Sequence, residues 1–376
     1  MKRLIFTFVL ILSVMAQAGP DKIKQIDKQI MNHLFNAELN QADSLINLQI
    51  SKTPDQPKYY VLKANYHFYS RYFTQGLDRD SILQLIVDNS QKAIELGEKL
   101  DQTTEIKFYL GSAYGYLTRA LVMQREYWDG YWTARDSRNY LNDVLDEDPS
   151  YTDAYLGLGV IEYFTGLRYT GFYNFLVWFV GMSGERDKGL EYFTIVAEKG
   201  ELFKNEANLI LGTLYGGNEN DQVRALEFVT KSMNNFPQNN FFVNQYNRAV
   251  LLNRINEEGV GFLEAEFDSL QSKYSIANSF VLNVVGYNFI NQNRLDDALV
   301  AFKTNLKLYP DVANCYDSLA ECYMTRGENE LAIKYYKMAY EKLDTDTTIG
   351  DQFRDALRQS IPERLEELGA QLDVQT

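Results

Sequence analysis

Histidine, cysteine, tryptophan and proline are all scarce in this chain. The two His and two Cys among 376 residues do not stand at the spacing of a structural zinc site. His33 and His67 each stand on an expected helix with no second His or Cys at ligand spacing. Cys315 and Cys322 lie seven apart on one expected helix. That is about 10.5 Å of rise, too far for a disulfide with each other. They read as small core residues, with pairing between chains left open. Seven prolines interrupt the chain rarely, which favours long helices. Basic residues are outnumbered, 37 against 51 acidic, for a net charge of −14. Such a polyanion repels phosphate backbones, so no nucleic-acid partner is expected; basic or neutral partners are easier to accommodate. Gly157-Leu158-Gly159 runs on into a helix rather than a phosphate loop, and no G-x-S-x-G elbow is present. Carboxylate pairs are too abundant for any one to mark acid–base chemistry. No enzyme, metal or cofactor is expected.

What is present begins at the N-terminus. Lys2 and Arg3 precede an apolar run from Leu4 to Met15, and Ala16-Gln17-Ala18 offers an A-x-A cleavage site before Gly19. This is the pattern of a signal peptide cut after Ala18. No Cys follows the apolar run, so lipoprotein processing is not expected. Removing Lys2 and Arg3 takes the charge from −14 to −16. The mature chain, 19–376, is expected in a periplasm or outside the cell.

The C-terminal third repeats every 34 residues. From Ser279, the positions 4, 7, 8, 11, 20, 24 and 32 are Leu282, Val285, Gly286, Phe289, Ala298, Phe302 and Pro310. Asn305 alone departs from the small residue wanted at position 27. From Ala313 the set 4, 7, 8, 11, 20, 24 and 27 is Tyr316, Leu319, Ala320, Tyr323, Ala332, Tyr336 and Ala339, with Asp344 in place of the terminal Pro. Small residues let two helices approach, and large ones fill the gaps between hairpins. Looser copies run from Ala207 to Pro237, from Thr152 (Leu158, Gly159) and from Lys107 (Leu110, Gly111). Ala42, Ile46 and Pro54 close a first hairpin. Pro54, Pro149, Pro237 and Pro310 all fall where a second helix should stop.

These residues resemble the tetratricopeptide-repeat family. The resemblance implies an all-α, right-handed superhelical solenoid of about seven helical hairpins. Its clearest repeats are 279–312 and 313–346, a single helix is expected at 259–272 ahead of them, and 347–376 forms capping helices that Pro362 should break in two. Residues 150–250, from Asp153-Ala154-Tyr155 through Gly184-Glu185-Arg186-Asp187-Lys188-Gly189 to Asn205-Glu206-Ala207, look like a group of exported bacterial repeat proteins. They are more weakly similar to the mitochondrial inclusion-body-clearance repeat family. Arg186 reads either as a structural partner of Glu162 or Glu185 or as a ligand residue.

In such solenoids, positions 2, 5, 9 and 12 of each first helix line the concave groove. Candidate partner-binding residues on that rule are Phe108, Leu156, Tyr163, Leu209, Phe280, Asn283, Tyr287, Asp317 and Glu321, joined by Trp178 and Arg186. The groove is expected to be aromatic and apolar in the middle and acidic toward the C-terminus. It lacks the Lys, Arg and Asn set with which family members grip a C-terminal carboxylate. A protein or peptide with apolar anchors and basic residues fits it better.

All three tryptophans, Trp128, Trp132 and Trp178, fall within 126–187. An apolar insertion near 164–184 includes Phe172 to Val180, too short to span a bilayer. Three readings are open: a helix that plugs the groove, a partner site, or a contact with a membrane interface. The last is disfavoured by its lack of Lys and Arg. The expected function is therefore an exported scaffold that binds protein or peptide through its groove. The alternative is an envelope-assembly component that touches membrane or an outer-membrane partner through 172–182.

Overall fold

Helices end where the repeat phase places their prolines. Four helices close two residues before a Pro: Leu39–Lys52, Tyr127–Glu147, Gln222–Asn235 and Leu295–Leu308, ahead of Pro54, Pro149, Pro237 and Pro310. The intervening residues Thr53, Asp148, Phe236 and Tyr309 share one backbone conformation, with φ between −131° and −143° and ψ between 60° and 88°. A residue before proline is pushed out of the α region into that one.

The computed structural model describes residues 24–74, 78–167, 184–276 and 278–372. The expected signal peptide, Trp178 and most of the 164–184 insertion lie outside them. Among the described residues the structure is all helical. The chain divides into two units, Met1–Lys204 and Asn205–Thr376. The first contains α1 (Gln25–Phe35), α2 (Leu39–Lys52), α3 (Pro57–Phe73), α4 (Arg79–Gly97), α5 (Thr104–Met123), α6 (Tyr127–Glu147), α7 (Ala154–Gly166) and α8 (Arg186–Lys199). They pack as four consecutive hairpins. The second unit contains α9 (Lys204–Gly216), α10 (Gln222–Asn235), α11 (Asn240–Glu258), α12 (Gly261–Ala265), α13 (Leu270–Tyr274), α14 (Phe280–Asn291), α15 (Leu295–Leu308), α16 (Ala313–Thr325), α17 (Asn329–Lys342) and α18 (Asp351–Glu367).

The repeat residues are where their sizes require. Leu282, Val285, Phe289, Ala298, Phe302, Leu319, Ala320, Ala332, Tyr336 and Ala339 are all buried in one core. The Phe302 ring lies against the bare face of Gly286. Asn305, the departure at position 27, is fully buried. Its side-chain amide donates to the Ser279 carbonyl at 2.9 Å, so a polar group at an Ala position is put to use. Cys315 and Cys322 are free and buried.

Two expectations are corrected. Pro362 does not split the cap: α18 runs through it. Leu357, Ile361 and Leu365, spaced by four, are buried on both sides of the proline and hold both halves to the core. Conversely, the single helix expected at 259–272 is broken into α12, a 3₁₀ turn at Phe267–Ser269 and α13. Arg254 organises the break. Its guanidinium lies 4.0 Å from the Phe262 ring centroid and donates to Glu266 at 2.9 Å and Tyr274 Oη at 2.8 Å.

The neck at either end of the 164–184 insertion is tied by Glu162. One carboxylate oxygen accepts from Arg138 at 2.6 Å and the other from the Glu185 backbone N–H at 3.0 Å. Behind it, α7 and α8 approach so closely that a Cβ on Gly189 would lie 2.6 Å from the Tyr163 nitrogen and 2.8 Å from its Cα. Backbone, unlike a flexible side chain, has no easy way to yield. Gly189→Ala is therefore expected to lower stability by about 1–2 kcal/mol. Urea denaturation would check this, and an unchanged midpoint would show that α7 and α8 can part without loss.

Candidate functional site

The groove positions of the two clearest repeats converge in the second unit. Asn283 and Tyr287 are one turn apart on α14, and Asp317 and Glu321 one turn apart on α16, so each pair shares a helix face. Tyr287 joins the two helices. Its hydroxyl lies 2.9 Å from Glu321 Oε2 and 3.3 Å from Ser318 Oγ, and its ring meets Phe302 edge-on at 5.3 Å. Burial and the Glu321 charge push the Tyr287 phenol well above its ordinary range. Phe280, one turn earlier on α14, is 60% exposed, with the Arg248 guanidinium 5.9 Å from its ring centroid.

Asp317 is only 9% exposed and has neither a hydrogen bond nor an ion pair. Burial and the neighbouring Glu321 push its carboxyl up to about 6, against a smaller opposing pull from Arg364. Asn283 Oδ1 is buried and lacks a hydrogen-bond partner as well. Opposite them, Arg364 on α18 reaches Tyr336 Oη at 3.5 Å and Glu321 Oε1 at 3.7 Å. Both contacts are long for a charge-assisted bond.

Of the eleven predicted residues, Tyr287, Asp317 and Glu321 lie close together, and Phe280 and Asn283 stand on the same helix as Tyr287. Four others are packing residues. Phe108 is fully buried between Tyr151, 4.7 Å away, and Phe203, 5.9 Å away. Tyr163 is fully buried against Phe193 and Phe164. Leu156 and Leu209 are buried too. The repeat-phase rule supposes an open groove along the whole chain, whereas in these stretches neighbouring side chains close over those positions. Arg186 does not pair with Glu162, which Arg138 holds; it pairs with Asp187 at 2.9 Å. Trp178 lies outside the described residues. Sequence reasoning missed Arg364, Tyr336 and Ser318. The available signal was the spacing of Leu357, Ile361 and Leu365, which fixes which side of α18 meets the core and so where Arg364 stands.

The first unit carries a separate aromatic surface. Trp128 is 61% exposed at the start of α6, stacked on Tyr131 at 6.0 Å and edge-on to Trp132 at 5.8 Å. Among the described residues, no helix is long and apolar enough to cross a membrane. No group of three His, Cys, Asp or Glu there could hold a metal.

Stacked two-helix repeats with this residue pattern define a helical-repeat protein. Residues 286–347 match the family described as Tetratricopeptide repeat, and the chain carries repeats of that kind. It is similar to a chain of the APC/C hetero-tetramer Cut9–Hcn1, at 14% identity and a TM-score of 0.42. That match covers 92% of this chain and 57% of the other, so the chain spans little more than half the length of that relative. It is also similar to the P58(IPK) TPR domain, at 15% identity and a TM-score of 0.25, covering 91% of this chain and 98% of that one. No curated protein matches it in sequence, and the matching family is not a catalytic one.

Proposed function

We propose that the protein is an exported scaffold that binds a protein or peptide segment through the groove face of its C-terminal repeats. One observation carries the reading. Phe280 on α14 presents an exposed aromatic ring, and on α16 the buried Asp317, one turn from the half-buried Glu321, makes no hydrogen bond or ion pair. An exposed ring offers an apolar anchor point, and uncompensated acid favours a segment that brings positive charge. Export rests on the Lys2–Ala18 pattern, which reads as a signal peptide and implies a periplasmic or secreted protein.

The test is capture from envelope extract with immobilised mature chain, beside a Phe280→Ala, Tyr287→Ala double variant checked for an unchanged circular dichroism spectrum. Losing two aromatic contacts at the centre of an interface should reduce recovery of a specific partner about tenfold or more. Equal recovery by both proteins would remove the C-terminal groove from consideration.

A further inference from the structure

We propose that the groove between α14 and α16 contains a site for one cationic side chain, a lysine or arginine of the partner segment, with the Asp317 carboxylate and Asn283 Oδ1 as its acceptors. The inference rests on the groove reading above and adds one point of recognition within it.

Buried polar groups in folded proteins are nearly always satisfied. Here Asn283 Oδ1 is buried without a hydrogen-bond partner, and the side chain of the buried Asp317 makes no hydrogen bond. They occupy the same position, the fifth, in consecutive 34-residue repeats. One turn further on along each helix, Tyr287 is bonded to Glu321 and ties α14 to α16. Asp317 and Glu321 would repel a carboxylate or phosphate placed between α14 and α16. An ammonium group brings three donors and a guanidinium five, with no acceptor in either.

Charge selects the same class and limits it to one group. Asp317 and Glu321 carry two negative charges. Arg364 supplies one positive charge and sits on the Glu321 side, 3.7 Å from its carboxylate. Arg364 also acts on Asp317, and the three groups together keep a net charge of −1. The groups facing Asp317 are Glu321 on its own helix, Tyr287 from α14, Tyr336 from α17 and Arg364 from α18. A carboxyl that is buried without a paired cation rises toward neutrality, as Asp317 does, and an arriving cation reverses that shift.

The experiment is isothermal titration calorimetry of the full mature chain at pH 7.5. The probes are acetyl-Phe-Arg-Phe-amide, its lysine analogue and its citrulline analogue, which keeps the shape of arginine without the charge. The arginine and lysine peptides should bind, and the citrulline peptide about tenfold more weakly or worse. Asp317→Asn should weaken the arginine peptide by a similar factor and leave the citrulline peptide unchanged. Asn283→Asp, which adds charge and keeps an acceptor, should tighten the arginine peptide. Asp317→Asn removes a buried unpaired charge, so its folding is not at risk. Equal affinity for arginine and citrulline, an unaltered Asp317→Asn variant, or no binding of the cationic peptides at millimolar concentration would each overturn the proposal. Envelope capture that depends on Phe280 and Tyr287 but not on Asp317 would overturn the site and leave the scaffold reading intact. Cation binding without groove-dependent capture would do the reverse.

Discussion

Replacing Asp153 with alanine should destabilise the first unit by about 3–5 kcal/mol. Asp153 stands just ahead of α7, and its carboxylate faces the turn that follows α8. Oδ1 accepts from the Phe203 N–H at 2.8 Å and the Leu202 N–H at 3.1 Å, and Oδ2 from the Glu201 N–H at 3.0 Å. Asp153, Leu202 and Phe203 are all buried, so water cannot replace the lost oxygens. Each stranded buried donor costs about 1–3 kcal/mol, and bonds to a charged acceptor lie at the upper end. A second loss follows: Phe203, which those bonds hold in place, covers the ring of Phe108. Asp153→Asn keeps the shape but turns an NH₂ group toward N–H donors, so it should lose about half as much as alanine. Guanidinium denaturation followed by tyrosine and tryptophan fluorescence measures both variants. A loss below about 1 kcal/mol for the alanine variant would mean that the turn finds other acceptors.

Neither this bond set nor the Glu162 neck was legible in the sequence, for one physical reason. Asp153 and Glu162 act on residues 23 to 50 positions away, and nothing local distinguishes them from the other carboxylates of an acidic chain. Asp153 even falls at a groove position by repeat phase, yet its side chain is spent on backbone. The repeats themselves were legible because their rules are local and recurrent. The 34-residue offset placed Leu282, Phe289, Phe302, Leu319, Tyr323 and Tyr336 in the core. The prolines marked helix ends because the constraint on the preceding residue needs no tertiary context.

The candidate site was half legible. Repeat phase put Asn283, Tyr287, Asp317 and Glu321 on facing helices because α14 and α16 follow the pattern without insertion. It failed for Phe108, Leu156, Tyr163 and Leu209, since phase gives the direction of a side chain and not what covers it. It was silent on Arg364, whose place depends on α18 running straight through Pro362. A proline removes one backbone hydrogen bond; three buried aliphatic residues on the same helix face outweigh that loss, and only the packed structure reveals the balance.

Asp317→Asn should have the opposite sign from Asp153→Ala: it should stabilise the second unit at pH 7, by roughly 2–3 kcal/mol. The carboxyl of Asp317 is raised to about 6 from an ordinary 3.8. The folded state therefore holds this proton more tightly than the unfolded state does. Between those two values the folded form binds more protons, so stability falls as pH rises, and the full penalty is present above about 6. Below about 4 the acid is neutral in both states and the penalty vanishes. Asparagine mimics the neutral acid at every pH. Wild type and variant should thus unfold alike near pH 4 and diverge through pH 5 and 6, with the variant ahead at pH 7. Urea denaturation across that range, with hydrogen exchange of α16 amides as the local readout, provides the test. A difference that is absent at pH 7, or that does not change with pH, would show that the charge of Asp317 is not buried at a penalty. The same carboxylate connects stability to binding. A ligand that binds only the folded state adds stability in proportion to its saturation. A saturating arginine peptide should therefore raise the wild-type midpoint at pH 7 and close much of the gap, while leaving Asp317→Asn where it was.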